Sequence, residues 1–376
     1  MLNRFLTDEM LKIINSATLL TGLVMVFFAA KAGQPVGGDF YCFWSAGKMA
    51  LQGDAVGIFD IGKITKFQAI DLNVENFSGI PWFYPPLLLL YISCLFALLP
   101  YPLAFALYLL ACFGGYFFAA RWLFPQISPL RLFGFPALWI SLGQNGVLTA
   151  IILVVGLELL ERSERWAGAT LGLLSYKPQF CFAIPLFLLI ERRFQAIATG
   201  IATLALLVLV TTLSWGTAIW PAFVEGLREA QNYNQLGDRI KPDSFAHLYG
   251  MLRTMGVAHA TAMPLNYLFA AGAAVAAIFI WLKSAKREVR HSAVVLLSLL
   301  LAPHLLYYDF VVTGAVIVWL WPHERIRPAL VLLWLTPALG PALAKIGVPA
   351  FSIATAVILY ELVQFTRAAD TRAVAI

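Results

Sequence analysis

The 376-residue sequence has few charged residues and few cysteines, and both features limit the classes of protein to which it can belong. Only 12% of its residues are charged and 61% are hydrophobic, whereas soluble domains are roughly 45–50% apolar. The four cysteines show no metal-ligand spacing, and Cys94, Cys112 and Cys181 lie in apolar runs, where a thiol acts as a small hydrophobic group. A soluble globule is excluded, and a polytopic membrane protein is predicted.

Several motifs of well-known enzyme classes are also missing. The sequence has no Walker phosphate-binding loop, no GxGxxG fingerprint, no HExxH zinc motif and no GxSxG nucleophile motif. Paired carboxylates of the kind that flank the scissile bond in a glycoside hydrolase are not evident. The basic residues give a formal net charge of +6, but they come in pairs between apolar runs and form no stripe. No nucleic-acid partner is therefore implied.

Apolar runs recur along the whole chain, in keeping with a mean hydropathy of +0.80. A run needs around 17–25 residues to cross a hydrocarbon core of about 30 Å, and fewer where it forms half-helices. The first run has Asp8 and Glu9 before it and no clean basic segment, so an uncleaved first helix is predicted. The runs lie at about 13–31, 84–99, 102–120, 128–143, 146–161, 166–176, 179–190, 195–214, 264–282, 291–305, 308–321, 328–344 and 348–365.

Short loops rich in lysine and arginine mark the cytoplasmic ends of these runs. All basic clusters fall inside if each run after residue 128 crosses once, but crossings by every earlier run would place Arg121 and Arg131 outside. The run at 84–99 is predicted not to cross, because Tyr84-Pro85-Pro86 fits only a helix start or an extended turn. The clusters are Arg4 with Lys12, Arg162 with Arg165, Arg192 with Arg193, Lys283 to Arg290, Arg325 with Arg327, and Arg367 with Arg372.

The expected architecture is therefore an all-α polytopic membrane protein with about twelve transmembrane helices and both termini in the cytoplasm. Residues 1–376 form one domain, and the run at 84–99 lies in or dips into the outer leaflet. Two sizeable outer loops, at about 32–101 and 215–263, mix acids, amides and aromatics. Each outer loop is predicted to contain a short helix, from Phe40 to Gln52 and from Trp220 to Asn232.

Unusual polar residues gather on the outer side of this topology, in four separate parts of the sequence. Ionisable residues at membrane depth cost a few kcal/mol even on lenient scales, and those that persist usually face a cavity or a partner. The four groups are Asp39 after Gly37-Gly38, Gly143-Gln144-Asn145-Gly146, Tyr176-Lys177-Pro178-Gln179, and the late segment 303–309 that contains His304 and Tyr308.

Each group also has an ordinary structural explanation, and only their coincidence on one face favours a site. The alternatives are a helix N-cap for Asp39, snorkelling for Lys177, a turn for Gln144 and Asn145, a helix-end position for His304 and an aromatic belt for Tyr307 and Tyr308.

One carboxylate among cations and amides fits the transfer of a sugar from a phosphate carrier. Such a reaction needs a base for the acceptor hydroxyl, and the leaving phosphate needs charge stabilisation more than an acid. Asp39 is the candidate catalytic base. The remaining candidates are Lys177 and His304 at the phosphate, Gln144, Asn145 and Gln179 as hydrogen-bonding groups, and Tyr84, Trp44 and Tyr308 around the pocket.

These segments, in this order and spacing, resemble glycosyltransferase family 87. The residues that carry the resemblance are Gly38-Asp39-Phe40 with Trp44 and Gly53, Phe83 to Leu87, Gly143-Gln144-Asn145, Ala167-Gly168, Leu171-Gly172-Leu173, Tyr176 to Gln179, and His304 to Asp309.

The resemblance implies a membrane glycosyltransferase of the C-type (GT-C) fold, with Asp39 as the catalytic aspartate and a loop helix that starts at the Tyr-Pro-Pro motif. It implies a polyprenyl-phosphate sugar donor, by precedent mannose, inversion at the anomeric carbon, and a lipid or glycan acceptor at the outer face of a bacterial inner membrane. By the same analogy His304 and Lys177 lie near the donor phosphate. Gln144 and Asn145 stand where metal-dependent relatives carry acids, so no metal or other cofactor is expected.

The second outer loop contains the most polar run of the chain. Asp238 and Arg239 are interpreted as part of a solvated loop, whereas Ser244 and His247 are candidate acceptor contacts beside Phe245. The competing hypothesis for the whole protein is a transporter or flippase for a lipid-linked sugar. Transporter sites usually lie near the midplane between repeats, whereas here the polar motifs cluster toward one face.

Overall fold

The computed structural model describes residues 36–75, 77–126, 136–231, 240–302 and 305–374. Within these residues the chain is helical, and the two extended positions that pair with each other form one isolated antiparallel bridge.

The α-helices are numbered here along the described chain. They are α1 Asp39–Leu51, α2 Ile61–Leu72, α3 Leu88–Ala97, α4 Tyr101–Leu123, α5 Pro136–Ile140, α6 Gly146–Leu159, α7 Glu164–Gly172, α8 Ala183–Ile190, α9 Phe194–Trp215, α10 Ile219–Gln231, α11 Leu248–Thr254, α12 His259–Lys283, α13 Arg287–Leu301, α14 Thr313–Leu320, α15 Arg327–Lys345 and α16 Ala350–Val374. Short 3-10 helices lie at Gly57–Phe59, Leu173–Tyr176, Pro178–Phe180, Pro242–Ser244, Tyr307–Val312 and Glu324–Ile326.

The prediction of an all-α membrane protein is confirmed. Four described helices are long and apolar enough to cross a membrane: Tyr101–Leu123, Phe194–Trp215, His259–Lys283 and Glu324–Lys345. Shorter apolar helices lie at Leu88–Ala97, Gly146–Leu159, Pro178–Ile190 and Tyr307–Leu320. The figure of twelve crossings stays a prediction, since the run at 13–31 and much of the run at 128–143 lie outside the described residues.

The helix bounds agree closely with the sequence pattern where hydropathy alone decides them. The two loop helices, α1 and α10, begin and end within one residue of the predicted limits. The helix expected at the Tyr-Pro-Pro motif begins later, because Leu88 is the first residue of α3 and both prolines precede it. Helix α2 was not predicted; the side chain of Asp60 caps it by accepting a hydrogen bond from the backbone N–H of Lys63 at 3.0 Å.

Glycines let neighbouring helices touch backbone to backbone. A methyl group at Gly168 of α7 would lie 2.0 Å from the carbonyl oxygen of Ala196 on α9. On α1, a methyl group at Gly47 would lie 2.3 Å from the carbonyl oxygen of Ser93 on α3. Small residues serve the same purpose wherever membrane helices pack closely. The second contact fixes α1, and therefore Asp39 at its start, against the short apolar helix α3.

The buried core and the outward-facing surface are carried by different helices. Along α13 every side chain from His291 to Leu300 is buried, which places this helix at the centre of the bundle. In contrast, Ala196 and Thr211 are the buried residues of the 22-residue α9. A long apolar helix with so little burial suits contact with lipid. The polar groups of the candidate site lie among the buried elements.

Candidate functional site

Asp39 occupies the first position of α1, and Gly38 is the N-cap residue. The alternative that Asp39 itself caps the helix is therefore wrong; the cap forms no side-chain hydrogen bond. Gly37 and Gly38 have φ values of 92° and 41°, in the left-handed region that favours glycine. Asp39 is partly exposed, and desolvation by the surrounding protein raises the pKa of its carboxyl from 3.8 to about 6.

Two glycines bring the other polar segments to the start of α1. A methyl group at Gly143 would lie 2.5 Å from the carbonyl oxygen of Gly37, and one at Gly146 would lie 2.1 Å from the carbonyl oxygen of Tyr308. Gly143 also has a φ of 76°. The loop between these glycines therefore touches the backbone just before Asp39 on one side and the backbone of the late segment on the other. Three parts of the chain meet at one place, as the sequence predicted.

Lys177 lies at the centre of a buried polar cluster. Its ammonium donates a hydrogen bond to Asn145 Oδ1 at 2.9 Å and forms a close ion pair with Asp309 Oδ1. The side chains of Lys177 and Asp309 are 1% and 0% exposed. The other carboxylate oxygen of Asp309 accepts a long hydrogen bond, 3.4 Å, from the backbone N–H of Leu306. The interpretation of Lys177 as a snorkelling side chain is wrong, because a snorkelling ammonium reaches water.

Two tyrosines lie beside this cluster. The hydroxyls of Tyr84 and Tyr308 are 3.5 Å apart, and the ammonium of Lys177 lies 4.8 Å from the centre of the Tyr308 ring. Burial raises the pKa of Tyr84; the hydroxyl of Tyr308 opposes that rise and the negative charges of Asp39 and Asp309 add to it. The negative charges of both carboxylates therefore act on the same phenol.

The amides predicted for the site differ in their surroundings. Gln144 has a buried Oε1 with no hydrogen-bond partner among the described residues, and its backbone carbonyl accepts a hydrogen bond of 2.7 Å from the hydroxyl of Tyr108. Asn145 is fully buried, and its Nδ2 has no partner in the described part of the chain either. Gln179 is partly exposed in the 3-10 turn that follows Lys177.

Trp44 is buried on helix α1. Its indole N–H donates to the carbonyl oxygen of Leu99 at 3.0 Å, and its ring packs on Tyr41 and Tyr101 with centroids 5.9 and 5.5 Å away. Lys48 places its ammonium 4.2 Å from the centre of the same ring. These contacts tie the middle of α1 to the start of α4, and so hold the helix whose first residue is Asp39.

The second outer loop reaches the site region through a backbone pairing. Phe245 bridges to Leu306, and the N–H of Ala246 donates to the carbonyl oxygen of Leu305 at 2.9 Å. This pairing places the segment that holds Ser244 and His247 next to the late motif. Ser244 is partly exposed, whereas His247 is buried with its ring stacked on Phe245 at 6.1 Å between centroids. His304, Asp238 and Arg239 lie outside the described residues.

Sequence reasoning assigned no role to Asp309, although the residue stands in the late motif. The available signal was a carboxylate within an apolar run, which needs a partner when it is buried. The partner could not be read from the sequence, since Lys177 lies 132 positions away. A second unforeseen contact joins the hydroxyls of Thr149 and Tyr176 at 2.7 Å and fastens α6 to the segment just before Lys177.

The arrangement supplies one base and several neutral donors. A carboxylate with a pKa near 6 is ionised at neutral pH and still takes up a proton readily. Asp309 balances the charge of Lys177, so the described groups left to meet a ligand include the Asn145 amide, the two tyrosine hydroxyls and the carboxylate of Asp39. Such a set can accept a proton from one substrate group and hydrogen-bond the oxygens of another.

Comparison with known proteins agrees with this chemistry. The model of glycosyltransferase family 87 matches residues 82–303. No curated protein and no solved structure matches the chain. The matched region contains Tyr84, Gln144, Asn145, Lys177, Gln179, Ser244 and His247, whereas Trp44, Asp39, His304, Tyr308 and Asp309 lie beyond its ends. Because the match covers more than half of its sequence, the chain belongs to glycosyltransferase family 87.

Proposed function

We propose that this glycosyltransferase moves a hexose, mannose by family precedent, from a polyprenyl-phosphate carrier to a hydroxyl group of a lipid or glycan acceptor. The reaction takes place at the outer face of a bacterial inner membrane, inverts the anomeric centre and uses no metal or other cofactor. A carrier embedded in the bilayer suits a site whose polar groups sit among apolar helices. The proposal includes the GT-C fold with about twelve crossings.

Asp39 is the general base of the proposed reaction. The acceptor oxygen attacks the anomeric carbon as the bond from that carbon to the phosphate oxygen breaks. The phosphate leaves with the bonding electron pair, and the proton of the acceptor hydroxyl passes to the Asp39 carboxylate. The observation that carries the proposal is the position of Asp39: a carboxyl with a raised pKa, against the loop that holds Asn145 and near the buried Lys177–Asp309 pair.

The leaving phosphate is stabilised on the opposite side of the site. Lys177 and His304 supply positive charge near it, and Gln144, Asn145 and Gln179 supply hydrogen bonds to the phosphate or the sugar. Tyr84 and Tyr308 border the sugar, and Trp44 holds the pocket wall. Fixed donors in a desolvated site stabilise developing charge far better than donors in water.

Ser244 and His247 belong to the acceptor side of the proposal. The Phe245–Leu306 bridge supports this role, since it keeps their segment beside the late motif. Ser244→Ala and His247→Ala are expected to change the acceptor preference and the KM for the acceptor. Unchanged turnover and unchanged preference in both variants would dispose of the assignment.

The proposed function is tested by sugar transfer in liposomes. Purified protein receives radiolabelled polyprenyl-phosphate mannose and a mixed lipid acceptor pool, and wild type is compared with Asp39→Asn. Asp54→Asn is the matched control, because Asp54 is an exposed carboxylate of the same loop whose Oδ1 accepts a hydrogen bond from the N–H of Gly57 at 2.9 Å. Labelled product from wild type and the control, with none from Asp39→Asn, supports the function and the base.

Equal labelling by wild type and Asp39→Asn would remove Asp39 from the mechanism. No labelling by the wild type would count against this donor and would direct attention to the competing transport hypothesis. In that case labelled donor moves between leaflets without forming a product, which a leaflet-accessibility assay on the same liposomes detects.

A further inference from the structure

The Lys177–Asp309 ion pair is fully enclosed, although burying two charges is costly. Desolvation of such a pair can exceed the Coulombic gain, and well-packed apolar residues often serve stability as well or better. The pair is therefore weak evidence for stability. Its other contact is more informative, because the same ammonium donates to Asn145 Oδ1 at 2.9 Å.

That hydrogen bond fixes which way the Asn145 amide faces. An amide offers an acceptor oxygen on one side and an NH2 group with two donor hydrogens on the other. Lys177 has only donors, so the oxygen of Asn145 must face Lys177 and Nδ2 must face away. Among the described residues Nδ2 has no hydrogen-bond partner, in a side chain that is 0% exposed, and the amide lies close enough to Tyr84 to lower the pKa of that phenol. A buried N–H without an acceptor destabilises the folded protein, and a bound ligand that accepts its hydrogen bond removes this cost.

Lys177 itself has little capacity left for a ligand. Two of its three N–H bonds are taken by Asn145 and Asp309, and aromatic rings of Phe180 and Tyr308 lie 5.2 and 4.8 Å from its nitrogen. Its charge is already matched by a carboxylate. Among the described atoms of Lys177, Asp309 and Asn145, the buried donor without a partner is the Asn145 nitrogen, at the start of α6 beside the loop that touches Gly37.

We propose that Asp309 is a positioning residue, which through Lys177 fixes the Asn145 amide so that Nδ2 donates a hydrogen bond to the phosphate of the sugar donor. This inference rests on the proposed function, since it takes a phosphate-linked sugar as the ligand. It also refines the role proposed for Lys177. The ammonium of Lys177 orients the Asn145 amide, and the neutral N–H of Asn145 contacts the phosphate. Asp309 keeps the ammonium in place and prevents a net charge inside the protein.

The first test is an isosteric change of the amide. Asn145→Asp retains an oxygen for Lys177 but replaces the Nδ2 donor with an acceptor oxygen. We expect at least a tenfold weaker binding of polyprenyl phosphate, used without a sugar as the probe, and a similar rise in the KM for the sugar donor. Asn266→Asp is the matched control, because Asn266 is a buried asparagine of α12 whose Oδ1 accepts the Tyr249 N–H at 3.3 Å. The control adds a buried carboxyl elsewhere and should leave probe binding unchanged.

The second test separates positioning from charge balance. The double variant Asn145→Asp with Asp309→Asn exchanges the carboxylate and the amide around Lys177, so the ammonium still has one charged and one neutral acceptor. If the cluster serves only to balance charge, the exchange restores both thermal stability and probe binding. If the Asn145 Nδ2 contacts the phosphate, stability is restored but binding stays at least tenfold weaker, because position 145 now presents an oxygen to the phosphate.

Asp309→Glu supplies a conservative check, and it should recover probe binding in part, whereas Asp309→Asn should not. Recovery of full binding by the exchanged variant, or normal binding by Asn145→Asp, would overturn the inference. The binding assay needs no sugar transfer, so wild type that binds the probe but transfers no mannose would contradict the proposed function alone. Wild type that fails to bind polyprenyl phosphate would overturn the inference itself.

Discussion

The two ends of helix α6 hold polar clusters of opposite character. At its start, Asn145 accepts a hydrogen bond from Lys177, which forms an ion pair with Asp309, and all three side chains are buried. At its end, Glu158 pairs with Arg287 at 3.2 Å and lies 3.7 Å from His291. The helix has 14 residues, so the two clusters are separated by roughly 20 Å of apolar protein.

The C-terminal end of α6 lies beside an extended network of ion pairs, here called the far-end network. The N-terminal end, at the candidate site, lies beside one enclosed ion pair. Arg193 contacts Glu191 at 3.1 Å, Glu164 at 3.3 Å and Glu161 at 3.8 Å, and Arg290 also contacts Glu161 and Glu191. These side chains are 15–32% exposed, so water screens each pair and the loss of one leaves others. In the enclosed pair, the loss of either charge leaves the other buried charge uncompensated. Partly exposed networks hold loops together, whereas a buried pair with an unfilled donor beside it suits a ligand site.

The largest expected effect is the loss of turnover in Asp39→Asn. A positioned general base contributes about 10²–10⁴-fold, so we expect the initial rate of sugar transfer to fall by at least about 100-fold.

The same substitution should not lower stability at neutral pH. The pKa of Asp39 in the folded protein is raised to about 6, so its ionised form destabilises the folded protein above pH 6. This destabilisation fades as pH falls toward 3.8. The variant should therefore melt no lower than wild type at pH 7.

Glu161→Gln is the control at the far end for the Asp39 experiment, since it neutralises a partly exposed carboxylate of the network. Its transfer rate should stay within about twofold of wild type, because an exposed pair contributes little. Equal loss of activity in both variants would end the distinction between the two clusters.

The next largest effect is on stability, where Lys177→Met is compared with Arg193→Met. Removing one member of a buried pair leaves the other charge uncompensated and costs about 3–5 kcal/mol. Removing a partly exposed arginine should cost less than about 1 kcal/mol. Unfolding by sodium dodecyl sulfate in mixed micelles measures both free energies. Lys177→Met with Asp309→Leu should regain most of the loss, and a failure to do so would show that the pair contributes more than charge matching.

A smaller effect is expected from two glycines of α6. Gly146→Ala places a methyl group 2.1 Å from the carbonyl oxygen of Tyr308, so backbone must move at the site. Gly156→Ala meets the end of the Leu171 side chain at 2.6 Å, and that side chain can change its rotamer. We expect about 1–3 kcal/mol of destabilisation for Gly146→Ala and less for Gly156→Ala. Transfer kinetics should change only for Gly146→Ala, and a larger kinetic defect in Gly156→Ala would argue against a tight contact at Tyr308.

The smallest effect concerns pH. The base must be ionised to accept a proton, and the pKa of Asp39 is about 6, so kcat/KM should be flat above pH 7 and fall about tenfold per unit well below pH 6. The far-end network is separated from Asp39 by roughly the length of α6, so substitutions in it should influence stability with little effect on this profile. If Asp39→Glu remains active and the inflection of its pH–rate profile moves to a different pH, the inflection belongs to residue 39. If the inflection stays at the same pH in that variant, it belongs to another group.

Much of the helical architecture could be predicted from the sequence, because hydropathy decides which segments are helices in a membrane. The limits of α1, α10 and α9 were predicted within one residue. Helix α2 was missed, since its composition is mixed and its start depends on the Asp60 cap. The start of α3 was predicted too early because two prolines fit either a helix start or an extended turn, and only the packing decides between these.

For the site, the sequence determined which residue types were present and predicted that they share one region of the protein. The order of the motifs and their family resemblance identified Asp39, Asn145 and Lys177 as candidates, and that much required no coordinates. Only the tertiary structure decided that Lys177 is paired with Asp309, that Gly146 touches Tyr308 and that the Asn145 nitrogen has no partner among the described residues. The physical reason is the sequence distance over which each feature is determined. Helix formation depends on the hydropathy of neighbouring residues, whereas the partner of a buried charge depends on how helices far apart in the sequence pack.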